Sequence, residues 1–243
     1  MSIAILIATS FSFGFFIESI VGFGGGLIAY AILGFFMDLK EMVLAGLYIG
    51  TLSSAYIALT DPKSFDKKTF KSLIPLSLLG TMIGAFAFAK LSASILAFIF
   101  GILLIALAIK IMFFEKFIFP KFLKKKLIFL GGFVQGSFGT GGPFWVSALA
   151  KDFQNKSKLR TTMAATFVIF NFVRVAQLSL EGQLNLEFFS KIWWTIIPVF
   201  ITIKLGHFVH LKISEEFFKK LIALMTILAG MKFLVSFLNS FFA

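Results

Sequence analysis

Cysteine is absent from the 243 residues. Disulfides, thiolate metal sites and cysteine nucleophiles are excluded with it, although that alone does not fix the compartment. Histidine is scarce as well, and two residues cannot make a histidine-rich metal or haem site. Charged residues make up 14% of the chain, against roughly 25% in a soluble domain. The HExxH, GxSxG and Walker A patterns are missing. No catalytic constellation is therefore expected, and no metal or cofactor. Strong alternation at period two is missing too, which argues against a β-barrel. No cleavable signal pattern is evident, so the first apolar segment is expected to stay in the mature protein.

Apolar sequence fills the space that charge leaves. The chain is 59% hydrophobic, with a mean hydropathy of +0.98, more than a single soluble core of this size can hide. Eight apolar segments recur, at 2–37, 41–60, 70–89, 92–114, 127–150, 161–180, 189–211 and 214–241. Runs near twenty residues describe an all-α polytopic membrane protein surrounded by lipid bilayer. The net charge is +12 and the pI about 9.9. Nucleic-acid binding would need a basic face on a folded soluble module, and no such module is present. The 36 phenylalanines, and a lysine excess over arginine, carry no functional reading.

The two halves resemble each other. Each opens on a glycine-rich segment, Pro75–Gly84 is echoed by Pro198–Gly206, and "KLSAS" at 90–94 by "KISEE" at 212–216. These matches define two membrane repeats, 1–120 and 121–243, within one integrated transmembrane domain. Charge then sets the topology. If all eight segments span, Lys and Arg divide twelve to nine between the two faces. If segments one and five dip in and return, the basic loops at 63–71, 110–126, 151–160 and 212–220 share one face with 17 Lys/Arg, leaving four opposite. The second arrangement follows the positive-inside tendency. Each repeat is then a glycine-tipped re-entrant or broken helix plus three transmembrane helices. Three is odd, so the repeats are inverted.

A hairpin turning halfway through the bilayer leaves backbone groups unpaired, tolerated only where protein or a watery cavity covers them. "VGFGGGLIAY" from Val21 and "QGSFGTGGPFW" from Gln135 have the composition for such turns. Arms of about ten residues reach ~15 Å, half the ~30 Å hydrocarbon core, so tips at Gly22–Gly26 and Gly136–Gly142 are expected to meet there. Each tip opens a new helical arm whose first N–H groups and positive dipole end favour an anion. Gly24, Gly25, Gly26, Thr140, Gly141 and Gly142 are the candidate donors, and Gln135 adds a neutral one. Small-residue helix packing is the alternative reading of the same glycines.

Arg174 lies inside "NFVRVAQ", with Asn171 a turn before it and Gln177 about a turn after. A charge in a span normally faces a cavity or a partner. Arg174 is the candidate cation toward an anionic substrate; an ion pair with Glu18 or snorkelling to the membrane edge stays open. Glu18, Lys204 and His207 are candidates for a coupling or ion-pair role, Glu18 as carrier of a coupling proton if burial raises its pKa.

The stretches "ESIVGFGGGLIAYAILGFF" (18–36), "GGFVQGSFGTGGPFWVSAL" (131–149) and "RTTMAATFVIFNFVRVAQLSLEG" (160–182), with the Pro–Gly pattern of segments three and seven, resemble the sulfite exporter TauE/SafE family. The resemblance covers nearly the whole chain, and "GTGGP" with the following "RTT…N…R" is its most specific part. It implies a multi-pass transporter of the inner (cytoplasmic) membrane for sulfur-containing anions such as sulfite, thiosulfate or organosulfonates. The expectation is thus a secondary transporter of a small anion, not an enzyme, with a midplane site formed by two helix N-termini. An uncoupled anion channel and a non-transporting accessory subunit are the alternatives. Direction, coupling proton or cation, and oligomeric state stay open.

Overall fold

The computed structural model describes residues 2–21, 24–113, 120–149, 156–208 and 215–242. Eleven helices follow one another among them: α1 (Ile3–Val21), α2 (Gly25–Leu33), α3 (Leu39–Thr60), α4 (Lys67–Lys90), α5 (Ala93–Phe113), α6 (Lys124–Phe138), α7 (Gly142–Leu149), α8 (Lys156–Leu180), α9 (Leu186–Ile192), α10 (Ile196–Phe208) and α11 (Glu215–Phe242). No strand occurs among the described residues. Six stretches are long and apolar enough to cross a bilayer: Leu39–Thr60, Lys67–Lys90, Ala93–Lys110, Ser157–Leu180, Leu186–Gly206 and Ala223–Ser240. Both glycine-rich segments, by contrast, are broken into two shorter helices. The all-α polytopic architecture read from the sequence is the architecture of the chain. The apolar run at 189–211 is less uniform than its hydropathy suggests, because a 3-10 turn at Trp193–Thr195 separates α9 from α10. Tyr48 donates its hydroxyl to the Trp193 carbonyl there, at 3.0 Å.

The contacts divide the chain into two compact units, one holding 1–44, 91–117 and 197–243, the other 45–90 and 118–196. In the first unit, α2 folds back on α1, and α11 packs along α5 and α2. Aromatic rings tie these helices together: Phe11 meets Tyr30 edge-on at 6.1 Å, Tyr30 meets Phe100 at 6.0 Å, and Phe100 meets Phe233 at 5.5 Å. Such edge-to-face pairs add to plain apolar burial.

In the second unit the dominant pairing is α4 against α6. It joins two small-residue motifs, Gly80 and Gly84 on α4 with Gly132 and Gly136 on α6. A side chain at any of the four would collide with the facing backbone. Close approach lets hydroxyls bridge the helices. Ser77 donates to the Ile128 carbonyl at 3.1 Å, Thr81 to that of Gly132 at 3.2 Å, and Ser137 to that of Gly84 at 3.0 Å. This is small-residue packing of the kind that joins helices where lipid offers no hydrophobic drive. Beside it, Leu73, Ile128, Trp145, Leu149, Met163 and Phe170 form a buried cluster. Outward, Leu79, Met82, Ile83 and Phe86 of α4 are more than half exposed. An apolar stripe of this kind suits hydrocarbon and not water.

The start of α4 is fixed by Asp66. Its carboxylate accepts the Lys68 and Thr69 N–H groups at 3.0 and 3.1 Å and the Thr69 hydroxyl at 3.1 Å. Its own N–H donates to Thr162 of α8 at 3.0 Å. The Thr69 N–H does most to hold the Asp66 carboxyl below the ordinary carboxylate range, and Lys158 adds to the effect. A depressed acid pKa stabilises the fold above the unfolded value and ceases to do so as pH falls through the folded one. Asp66→Ala is expected to cost about 1 kcal/mol at neutral pH. The gap between the two proteins' melting curves should begin to close only as pH falls below about 4, the ordinary aspartate value, and shrink further through the depressed folded one; a gap that stays constant into strong acid would count against the charged cap.

Candidate anion site at the second helical hairpin

The second hairpin is built by its turn. Gly139 ends α6 in the left-handed region (φ 75°) and donates its N–H to the Gln135 carbonyl at 2.9 Å. The chain then reverses through Thr140. α7 begins at Gly142, with Pro143 in its first turn, where a missing N–H is no loss. It runs back along α6, and Trp145 donates its indole N–H to the Ile128 carbonyl at 3.2 Å. Gly141 packs against the Gly131 carbonyl, so its small size serves this contact as well as the turn.

Four polar side chains gather around the turn. Gln135 is fully buried and uses both ends of its amide. Its Oε1 accepts the Gly141 N–H at 3.1 Å, and its Nε2 donates to Asn171 Oδ1 at 2.9 Å. Arg174, one turn along α8 from Asn171, is also fully buried. Its Nε–H donates to the Gly136 carbonyl at 2.8 Å, and its guanidinium carbon lies 6.0 Å from the Phe88 ring centre. Thr140 is 4% exposed, and its hydroxyl has no hydrogen-bond partner. The structure thus brings Gln135, Thr140, Gly141, Gly142, Asn171 and Arg174 together in one unit. Gln177 turns away and donates to Glu181 at 3.2 Å.

The first hairpin has the same plan with different chemistry. Gly24 is left-handed (φ 96°) and precedes α2. Glu18 Oε2 accepts the Gly25 N–H at 2.6 Å. Gln135 follows Glu18 by 117 residues and Gly141 follows Gly25 by 116, so the two contacts are almost equally spaced along the chain. A side-chain oxygen therefore holds the arm's first N–H in both hairpins: a carboxylate in the first, a neutral amide in the second. Among the described residues, nothing lies within 4 Å of where a side chain at Gly26 would start. Gly22 and Phe23 lie outside the described residues. Lys204 is exposed on α10, in the unit that contains the first hairpin. His207 is also on α10, and its side chain lies outside the described set.

The apolar segment at 41–60 is the span α3, but none of its residues was expected at the site. Gly50 faces Asn171, and Ser53 is fully buried with an unpartnered hydroxyl. The signal was present in "GTLSSAY" (50–56), a run of small polar residues inside a span.

The family model for the sulfite exporter TauE/SafE matches residues 6–233, nearly the entire chain. The chain belongs to the TauE/SafE family. That family is one of membrane transporters, so this TauE/SafE protein is a multi-pass transporter and not an enzyme. No curated protein and no solved structure matches it.

Proposed function

We propose that the protein is a secondary transporter of the cytoplasmic membrane that carries a small sulfur oxyanion or organosulfonate, such as sulfite or thiosulfate. The observation that carries this reading is the second hairpin, where a fully buried guanidinium bonds the last turn of α6 and an unpartnered, buried threonine hydroxyl stands just before α7. A cation inside a span costs about 2.5–3.5 kcal/mol on insertion scales, which argues for a use beyond packing. An anion at the turn would receive the N–H groups of the α7 start, the positive end of its dipole and the Thr140 hydroxyl. Gln135 would hold the turn, and Asn171 would add an amide donor.

Gly24, Gly25 and Gly26 offer the same kind of helix start in the first hairpin, but Glu18 is already seated on it. In this reading that tip accepts an anion only when the carboxylate is protonated or displaced. Glu18 is then the place where a proton would couple to transport. The sequence offers no nucleotide-binding motif, so the driving force is an ion gradient or that of the substrate itself.

Purified protein in proteoliposomes should show saturable uptake and counterflow of sulfite, thiosulfate or ethanesulfonate. Thr140→Val, which keeps the shape and removes the hydroxyl, should lower affinity about tenfold, the worth of one hydrogen bond to a charged group. Absence of saturable flux for every anion tried would overturn the proposal.

A further inference from the structure

α3 carries a glycine that packing does not require. A side chain started at Gly50 would meet only the Asn171 side-chain nitrogen, at 3.9 Å, an ordinary contact distance. Its backbone is regular helix, and the left-handed glycines are Gly24, Gly139 and Gly182 among the described residues. Glycine weakens a helix relative to alanine, and at Gly132 or Gly136 a close backbone explains its presence. At Gly50 what lies in front is space, bordered by the Asn171 amide.

Ser53 is three positions further along α3, on the same side. It is fully buried, and its hydroxyl makes no hydrogen bond. A helical serine can return its proton to the preceding turn, as Thr51 does to the Leu47 carbonyl; Ser53 does not. Asn171 already gives its oxygen to Gln135, so its nitrogen is the end facing Gly50. Across this gap α8 presents the Asn171 amide, while α3 presents the Ser53 hydroxyl and no side chain at Gly50.

We propose that Gly50 and Ser53 form the second wall of the anion site. Ser53 donates to a substrate oxygen, and the notch at Gly50 receives the substituent on sulfur that is not an oxo group. This inference rests on the site reading for the second hairpin and extends it to selectivity. The ligand class it favours is a substituted sulfur oxyanion, a sulfonate or thiosulfate, over bare sulfite.

The test measures binding of sulfite, thiosulfate and ethanesulfonate to the full-length protein in nanodiscs, by ligand-induced shift of the melting temperature. The wild type is compared with Gly50→Ala, Ser53→Ala and Thr140→Val. Gly50→Ala should melt no lower than wild type without ligand. It should weaken ethanesulfonate at least tenfold more than sulfite, a change of order that a merely structural role would not produce. Ser53→Ala should weaken all three anions about tenfold. If Thr140→Val weakens binding while Gly50→Ala and Ser53→Ala bind as wild type, this inference falls and the hairpin site stands. If wild type binds none of the three, both fall.

Discussion

Gln135→Glu is expected to lower anion flux by about a hundredfold or more while leaving the second hairpin folded. The first hairpin already shows the arrangement: Glu18 accepts the Gly25 N–H at 2.6 Å, as Gln135 accepts that of Gly141 at 3.1 Å. A carboxylate at 135 would keep the bond to Gly141 and place a fixed negative charge at the start of α7. It would also be drawn toward Arg174, which is bonded to the next residue's carbonyl. Two like charges about 4 Å apart repel by roughly 4 kcal/mol at an effective dielectric of 20. Half of that is already about thirtyfold in affinity, and capture of the arginine adds to it. Flux in proteoliposomes, beside the melting temperature of the same preparation, checks the expectation. Near-wild-type flux would show that the substrate does not visit this turn. Glu18→Gln is the companion variant. Its first hairpin should stay folded, because a neutral amide performs the same task in the second.

Gly132→Val is expected to destabilise the protein by about 3 kcal/mol or more, the upper range for forcing bulk into a close-packed interior. Any side chain there collides with the Ser77 backbone, including its carbonyl oxygen. Relieving the collision means drawing α6 away from α4. That movement loosens three hydroxyl bridges at once, from Ser77, Thr81 and Ser137, each worth about 0.6 kcal/mol in a membrane interior. Gly26→Ala is the natural control, since no described residue stands within 4 Å of that position. Thermal unfolding in detergent should separate the two variants clearly. Equal melting temperatures would mean that the α4–α6 approach is looser than the hydroxyl bridges indicate.

Composition and hydropathy made the spans legible, because twenty-residue apolar runs admit few alternatives in a bilayer. The two breaks were legible as well, since clustered glycine inside apolar sequence is costly without a turn. The division of labour among those glycines was not. Gly24 and Gly139 take left-handed backbone, Gly132 and Gly136 let two helices touch, and Gly26 has no described residue within 4 Å of where a side chain would start. Nothing in the local sequence separates these cases, because each depends on what another helix brings near. Arg174 drew attention because a lone charge in a span is conspicuous. Glu18 did too, but the bond to Gly25 that defines its place appears only once α2 folds back. Ser53 and Gly50 carry no charge, and the small polar run that holds them, 50–56, is a weaker signal inside a span than a charge is. The cap at Asp66 was readable in principle from "SFDKKT" (64–69), where an aspartate stands three residues before a threonine.

Each compact unit draws on distant parts of the chain, and this bears on how the protein is made. α6 finds its main partner in α4, already synthesised, so the second hairpin can dock as soon as it emerges. α2 packs against α11, far later in the chain. The first hairpin therefore gains this partner only once α11 has been translated. Removal of α11 is expected to strip α2, near the other end of the fold's chain order, of one of its packing surfaces.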